Sequence, residues 1–123
     1  MFGFRASLIF IVIISVVVGC ASVPPAKSVT SVADIAGKWA GTGWGPRGSG
    51  DVTLTINRDG TYTGVVPSGT FTGRITLTDG KLRSLIDQSK ATGTFTLHEG
   101  DGRRVLRHKG DDGQTGSELT PAR

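Results

Sequence analysis

The sequence predicts an all-β fold: a small up-and-down antiparallel meander barrel of about eight short strands, with a two-sheet β-sandwich as the alternative. Three observations predict it. From Gly37 onward, apolar residues recur at every second position, the period of a pleated strand with one buried face. Asp-Gly pairs, which accept positive φ, stand between segments of strand length at Asp59-Gly60, Asp79-Gly80 and Asp112-Gly113. The chain holds 19 glycines and recurrent threonine, a composition of turns and strands rather than helices. Sequential neighbours joined by tight turns pair antiparallel. An open meander would leave two edges exposed to other chains, and closure removes both.

The first segment sets an address. Arg5 precedes the uncharged, largely apolar run Ala6–Val18, and the only cysteine, Cys20, follows Gly19. A helix of that length reaches roughly 20 Å, short of a ~30 Å hydrocarbon core, so the run fits an export signal better than a membrane span. Val17-Val18-Gly19-Cys20 resembles the lipobox of bacterial lipoproteins. The resemblance implies cleavage before Cys20, diacylglycerol on its thiol, and a membrane partner engaged through acyl chains. Each buried methylene would add ~0.8 kcal/mol to that anchoring. Ala21 stands where an aspartate would signal retention, which implies delivery to the outer membrane. A retained short anchor and an ordinary signal peptide are the alternatives. On this reading residues 1–19 are signal peptide, 20–31 the lipidated cysteine and a linker rich in proline and small polar residues, and 32–123 the barrel domain.

Within the domain, Val32–Ala36 suits one helical turn capped by Ser31, with Asp34 in its first turn. Asp51–Asn57 is the clearest strand, with Val52, Leu54 and Ile56 on one face and Thr53 and Thr55 on the other. Thr61–Val66 returns beside it, and Pro67-Ser68-Gly69 interrupts the ladder. Phe71–Thr78, Lys81–Ile86, Thr92–His98, Arg103–Lys109 and a short strand near Thr115–Thr120 follow, with a further turn at Glu99–Gly102. Thr72-Gly73-x-x-Thr76-Leu77 is echoed by Thr92-Gly93-x-x-Thr96-Leu97, one hairpin pattern used twice rather than a solenoid repeat. With a single cysteine no internal disulfide is available, so the domain depends on packing and closed pairing.

Gly37-Lys38-Trp39, at the start of the first strand, resembles the G-x-W opening of lipocalin and avidin-like barrels, the calycins. The resemblance implies that Trp39 plugs one end and that a basic residue from late in the chain, Arg104 or Arg107, packs across it. The second lipocalin signature is represented only by Thr78-Asp79-Gly80, a turn. Inward candidates are Trp39, Val52, Leu54, Ile56, Tyr62, Phe71, Ile75, Leu77, Leu82, Phe95 and Leu97. At interior density these fill a barrel with strands about six residues long, which predicts a solid core rather than a ligand cavity.

Few residues suggest chemistry. Gly41–Gly50 reads as a glycine-rich lip at a barrel mouth, with Trp44 and Arg47 offered to a ligand or partner; the alternative is a hairpin loop whose Trp covers the barrel end. It lacks the Lys and following helix of a nucleotide loop. Arg103, Arg104, Arg107, His108 and Lys109 form the one basic cluster. Arg103 and Arg107 are candidates for anionic lipid, lipopolysaccharide phosphate or peptidoglycan carboxylate, although Glu99, Asp101, Asp111 and Asp112 flank them and favour a solvated, paired face. His98 and His108 have no metal-ligand spacing, and approach across the turn at 99–102 is their one route to a metal. No nucleophile elbow or acid pair stands out, so neither an enzyme nor a cofactor is expected. Arg5 is the one charged residue of the signal, so the rest carries +3 of the formal +4, thin support for nucleic-acid binding. The expected function is a non-catalytic binding or structural module of the cell envelope. The alternatives are a carrier of a small apolar ligand and an inhibitor of an envelope hydrolase acting through the Trp44 loop.

Overall fold

The computed structural model describes residues 23–122; Cys20 and the lipobox residues Val17, Val18 and Gly19 lie outside the described residues. A 3-10 turn, Val32–Ile35, leads into eight strands: β1 (Gly37–Gly45), β2 (Gly48–Ile56), β3 (Thr61–Val66), β4 (Gly69–Thr78), β5 (Lys81–Ile86), β6 (Thr92–Gly100), β7 (Arg103–Gly110) and β8 (Gly116–Pro121). They form a closed barrel in sequence order, and β8 returns antiparallel to β1 through Trp39↔Pro121 to Trp44↔Gly116. The sandwich alternative is thereby excluded. The 3-10 turn, the eight strands and the core cluster lie between Val29 and Pro121, so a chain beginning at Val23 contains the closed barrel and its core.

The turns follow the local chemistry. Asp79-Gly80 and Asp101-Gly102 are two-residue connections in which both residues have positive φ, 52° and 77° in the first and 53° and 73° in the second. That geometry matches the twist of paired strands, and Asp tolerates it through local hydrogen bonding. Ser31 caps the 3-10 turn, its Oγ accepting from the Ala33 N–H at 3.0 Å. The turn seats Ile35, which is fully buried.

An up-and-down chain places alternate turns at opposite ends. One end gathers the 3-10 turn, the turns at 57–60, 79–80 and 101–102, and the residues that enter β1 and leave β8. The other gathers the turns at 46–47, 67–68, 87–91 and 111–115. The glycine-rich stretch at 41–50, expected as a long lip, is instead strand on both sides of a two-residue turn at Pro46-Arg47. Glycine is required there by close approach: a Cβ on Gly41 would overlap the Glu118 carbonyl of β8.

The core cluster contains Trp39, Leu54, Ile56, Tyr62, Ile75, Leu82, Phe95 and Leu97, all expected inside, with Val52, Phe71 and Leu77 partly buried against it. Ile35, Leu106 and Leu119 complete it. Val105 is buried too, but on the outer face, opposite His98 in the register. The free linker expected before residue 32 is corrected, because its residues 25–27 are paired with β6. Ala26 bridges His98, the Lys27 N–H donates to the Leu97 carbonyl at 2.8 Å, and the Glu99 N–H donates to the Pro25 carbonyl at 3.2 Å. The β5–β6 pairing runs only through Leu82–Leu85, so the far half of β6 would otherwise be an exposed edge.

Candidate functional site

At the end where the chain enters, the barrel is sealed. Trp39 is buried at the mouth of β1, and its indole N–H donates to the Ile35 carbonyl at 2.9 Å. The Arg104 guanidinium lies 5.2 Å from the Trp39 ring centroid, within cation–π range. The same guanidinium donates to Glu99 Oε2 at 2.6 Å and to the Asp34 carbonyl at 2.7 Å, binding β7, β6 and the 3-10 turn over the indole. Of the two arginines considered for this position, Arg104 occupies it. Arg107 faces outward and pairs with Glu118 of β8 at 3.2 Å. Gly37, at φ 129°, gives the backbone its entry into β1 beneath the plug.

The opposite end is open. A cavity of about 680 Å³ runs from its rim down to Leu54, Tyr62 and Phe95, which corrects the expected solid core. The reason lies in the inner face of the upper strands. Alternation brings Gly64, Gly73 and Gly93 inward where a filled barrel would carry side chains, and an aromatic ring lies back against each. Phe71 covers Gly64, Tyr62 covers Gly73 and His108 covers Gly93, each so closely that a Cβ would collide with the ring. The rings therefore line the wall and leave the centre empty. They also contact one another in series, Phe71–Tyr62 edge-on at 6.2 Å, Tyr62–Phe95 edge-on at 6.1 Å and Phe95–His108 at 4.7 Å between centroids. The Thr-Gly-x-x-Thr-Leu echo has its physical meaning here, because its two glycines, Gly73 and Gly93, are both ring-covered wall positions.

The surface of this lining is more apolar than polar, and its inward-facing polar groups include Tyr62, His108 and Ser117. The Tyr62 hydroxyl is pushed up to about 12, first by burial and then by the Asp87 charge, so it stays a phenol. Burial also pushes His108 below its ordinary value of 6.5, against the opposing pull of Asp111 and Asp112, so the imidazole is neutral at pH 7. His108 Nε2 lies 3.2 Å from the buried Ser84 hydroxyl. Among the described residues its other ring nitrogen has no partner, nor does the Ser117 hydroxyl across the β7–β8 ladder. No side-chain nitrogen or oxygen is sealed away unpaired among the described residues, so both atoms open onto the cavity that these residues line.

Ser84 and His108 do not extend to a triad. Asp111 is held by Arg83 at 2.5 Å and by the Thr92 hydroxyl at 2.6 Å, while Asp112 accepts from its own turn. Among the described residues no carboxylate hydrogen-bonds the ring to orient it.

The expected site residues divide between the ends. Trp44, 47% exposed, and Arg47 stand at the rim, with the Trp44 ring over Gly116 of β8. Arg103 begins β7 at the sealed end and Arg107 lies on the outer wall, so neither faces the cavity. His98 and His108 do not approach each other: His98 faces outward, its Nδ1 2.9 Å from the Pro24 carbonyl, while His108 lines the lumen. No group of three potential metal ligands occurs among the described residues. Ser117 was not singled out from the sequence, and His108 was weighed there only in the basic cluster and, with His98, as a route to a metal. The signal that would have found them is glycine recurring at inward positions of the alternation, which removes volume just where they stand.

No protein-family model matches the chain, and neither a curated protein nor a solved structure matches it.

Proposed function

We propose that this protein is a lipid-anchored, non-catalytic carrier of the bacterial cell envelope, holding one small, mainly apolar ligand in its barrel. The observation that carries the reading is the one-ended cavity of about 680 Å³ walled by Phe71, Tyr62, Phe95 and His108. Small-molecule sites commonly have volumes of ~300–1,000 Å³, with apolar and aromatic walls and few polar groups. The plug of Gly37, Trp39 and Arg104 adds support for a calycin-like barrel.

Lipidation at Cys20 would set the orientation. Ala26 and Lys27 are docked on β6 at the sealed end, and the three residues from Cys20 to Val23 span at most ~10 Å. A membrane anchor there holds the plugged end towards the bilayer and turns the mouth away from it, open to ligand or to a partner envelope protein. Metabolic labelling with a palmitate analogue tests the anchor, which fails if a Cys20→Ser variant still takes up label.

The carrier reading is tested with a chain beginning at Val23 and the uncharged fluorophore N-phenyl-1-naphthylamine. Saturable enhancement at one site per barrel is expected, and no enhancement would overturn it. A second reading, a protein-binding module or hydrolase inhibitor, is favoured by Trp44 and Arg47 standing exposed at the rim. In that case replacing both with Ala abolishes capture of the target while leaving probe binding in place.

A further inference from the structure

We infer that the cavity takes an uncharged, mainly apolar molecule carrying one hydroxyl or carbonyl oxygen, which is hydrogen-bonded inside the barrel by His108 and Ser117; this rests on the carrier reading. The two residues are directly opposite in the β7–β8 register and both face the lumen. The Ser117 hydroxyl can donate or accept, and the ring nitrogen of His108 that does not face Ser84 supplies a second polar atom in the same lining. A hydrocarbon entering this space would strip water from both atoms and leave them without partners. A ligand with one oxygen satisfies them, so this pair discriminates between molecules that the aromatic wall alone would treat alike.

The charges argue against an ionised head group. Arg47, Asp51 and Asp112 line the mouth, one base against two acids, so an anion meets no net attraction on entry. Deeper in the cavity, among the described residues, there is no lysine or arginine to pair with a carboxylate or phosphate, and no carboxylate to pair with an ammonium. Asp111, in the turn beside Asp112, does not line the cavity and is already engaged by Arg83 and Thr92. Burial keeps His108 itself neutral.

The test uses the chain beginning at Val23 with N-phenyl-1-naphthylamine bound, displaced by naphthalene, 2-naphthol, 2-naphthoate or 2-naphthylmethylammonium. The wild-type barrel is expected to hold 2-naphthol about tenfold tighter than each of the other three, the equivalent of one or two neutral hydrogen bonds. Ser117→Ala, with its circular dichroism unchanged, should bring 2-naphthol to within about twofold of naphthalene and leave naphthalene where it was. His108→Phe, which keeps a ring over Gly93, should act in the same direction. Equal binding of naphthalene and 2-naphthol by the wild type would overturn the inference, as would tighter binding of either charged analogue or an equal loss of both neutral ligands in Ser117→Ala. If the fluorophore itself does not bind, the carrier reading falls and this inference with it. Binding without discrimination sinks the inference alone.

Discussion

The two ends of this barrel are built from the same strands with the same alternation, yet one is sealed and the other hollow. At the sealed end the inward positions carry Trp39, Ile56, Leu97 and Leu106, closed by Ile35 and by Arg104 lying across the indole. At the hollow end they carry Gly43, Gly64, Gly73, Gly93 and Gly110, and the Phe71, Tyr62 and His108 rings fold back onto Gly64, Gly73 and Gly93. Strand pairing therefore makes the wall, while inner-face volume decides whether there is room inside. A barrel of this size holds a ligand only where its sequence gives up side chains.

Breaking the sealed end should have the largest effect. Trp39→Ala removes a fully buried ring, its hydrogen bond to Ile35 and the surface on which Arg104 lies. A loss of about 3–5 kcal/mol is expected in urea unfolding, on the scale of buried aromatic truncations. A loss below about 1 kcal/mol would mean that the plug is not an energetic centre of the fold. The hollow end should respond differently. Gly64→Ala puts a Cβ into the Phe71 ring, which must swing towards the lumen. The expected cost is about 1–3 kcal/mol of overpacking strain, together with a loss of N-phenyl-1-naphthylamine affinity of about tenfold. If affinity holds while stability falls, the ring-covered glycines do not create the space.

The difference between the ends was only half legible in the sequence. The strands were readable because period-two alternation and Asp-Gly turns act locally, and residues such as Leu54, Ile75 and Phe95 lie inside as that period requires. Trp39 was readable as a plug through Gly37-x-Trp39, though which arginine covers it depended on the phase of β7. The cavity was not readable from a roll of apolar residues, because Phe71 and Tyr62 count as filling volume until their rings are seen pressed against Gly64 and Gly73. The stretch at 41–50 misled for a related reason. Glycine there looks like loop composition, yet its cause is close contact between β1 and β8 inside a long hairpin. Docking of Pro24–Lys27 on β6 was also hidden, since it depends on β5 being shorter than its neighbour.

A smaller effect separates the ends by pH. Burial holds His108 below its ordinary value of 6.5, so the folded barrel binds its proton less readily than the unfolded chain does. Above that value both states are neutral there and His108 has no influence on stability. As the pH falls below it, the unfolded chain takes the proton first, and stability declines until the folded His108 also protonates. Unfolding in urea between pH 7 and pH 5 should show this decline in the wild type and not in His108→Phe. A parallel decline in both would assign it elsewhere. The carboxylates held below their ordinary values, among them Asp111 beside Arg83, give up their contribution only at more acidic pH.

The smallest expected effect is also the most direct view of the asymmetry, because the two tryptophans report on one end each. Trp39 is 1% exposed and Trp44 is 47% exposed. Trp44→Phe removes little buried surface, and its stability should stay within about 0.5 kcal/mol of wild type. Its remaining emission, from Trp39 alone, should be shielded from acrylamide, whereas the wild type should show an additional, readily quenched component. Ligand at the mouth should alter that accessible component and leave the Trp39 emission unchanged, because the indole is enclosed by Ile35 and Arg104 on the far side of the core. Should the emission of Trp44→Phe respond to N-phenyl-1-naphthylamine as strongly as that of the wild type, the ligand would be reaching the plug, and the division of the barrel into a sealed and a receptive half would have to be abandoned.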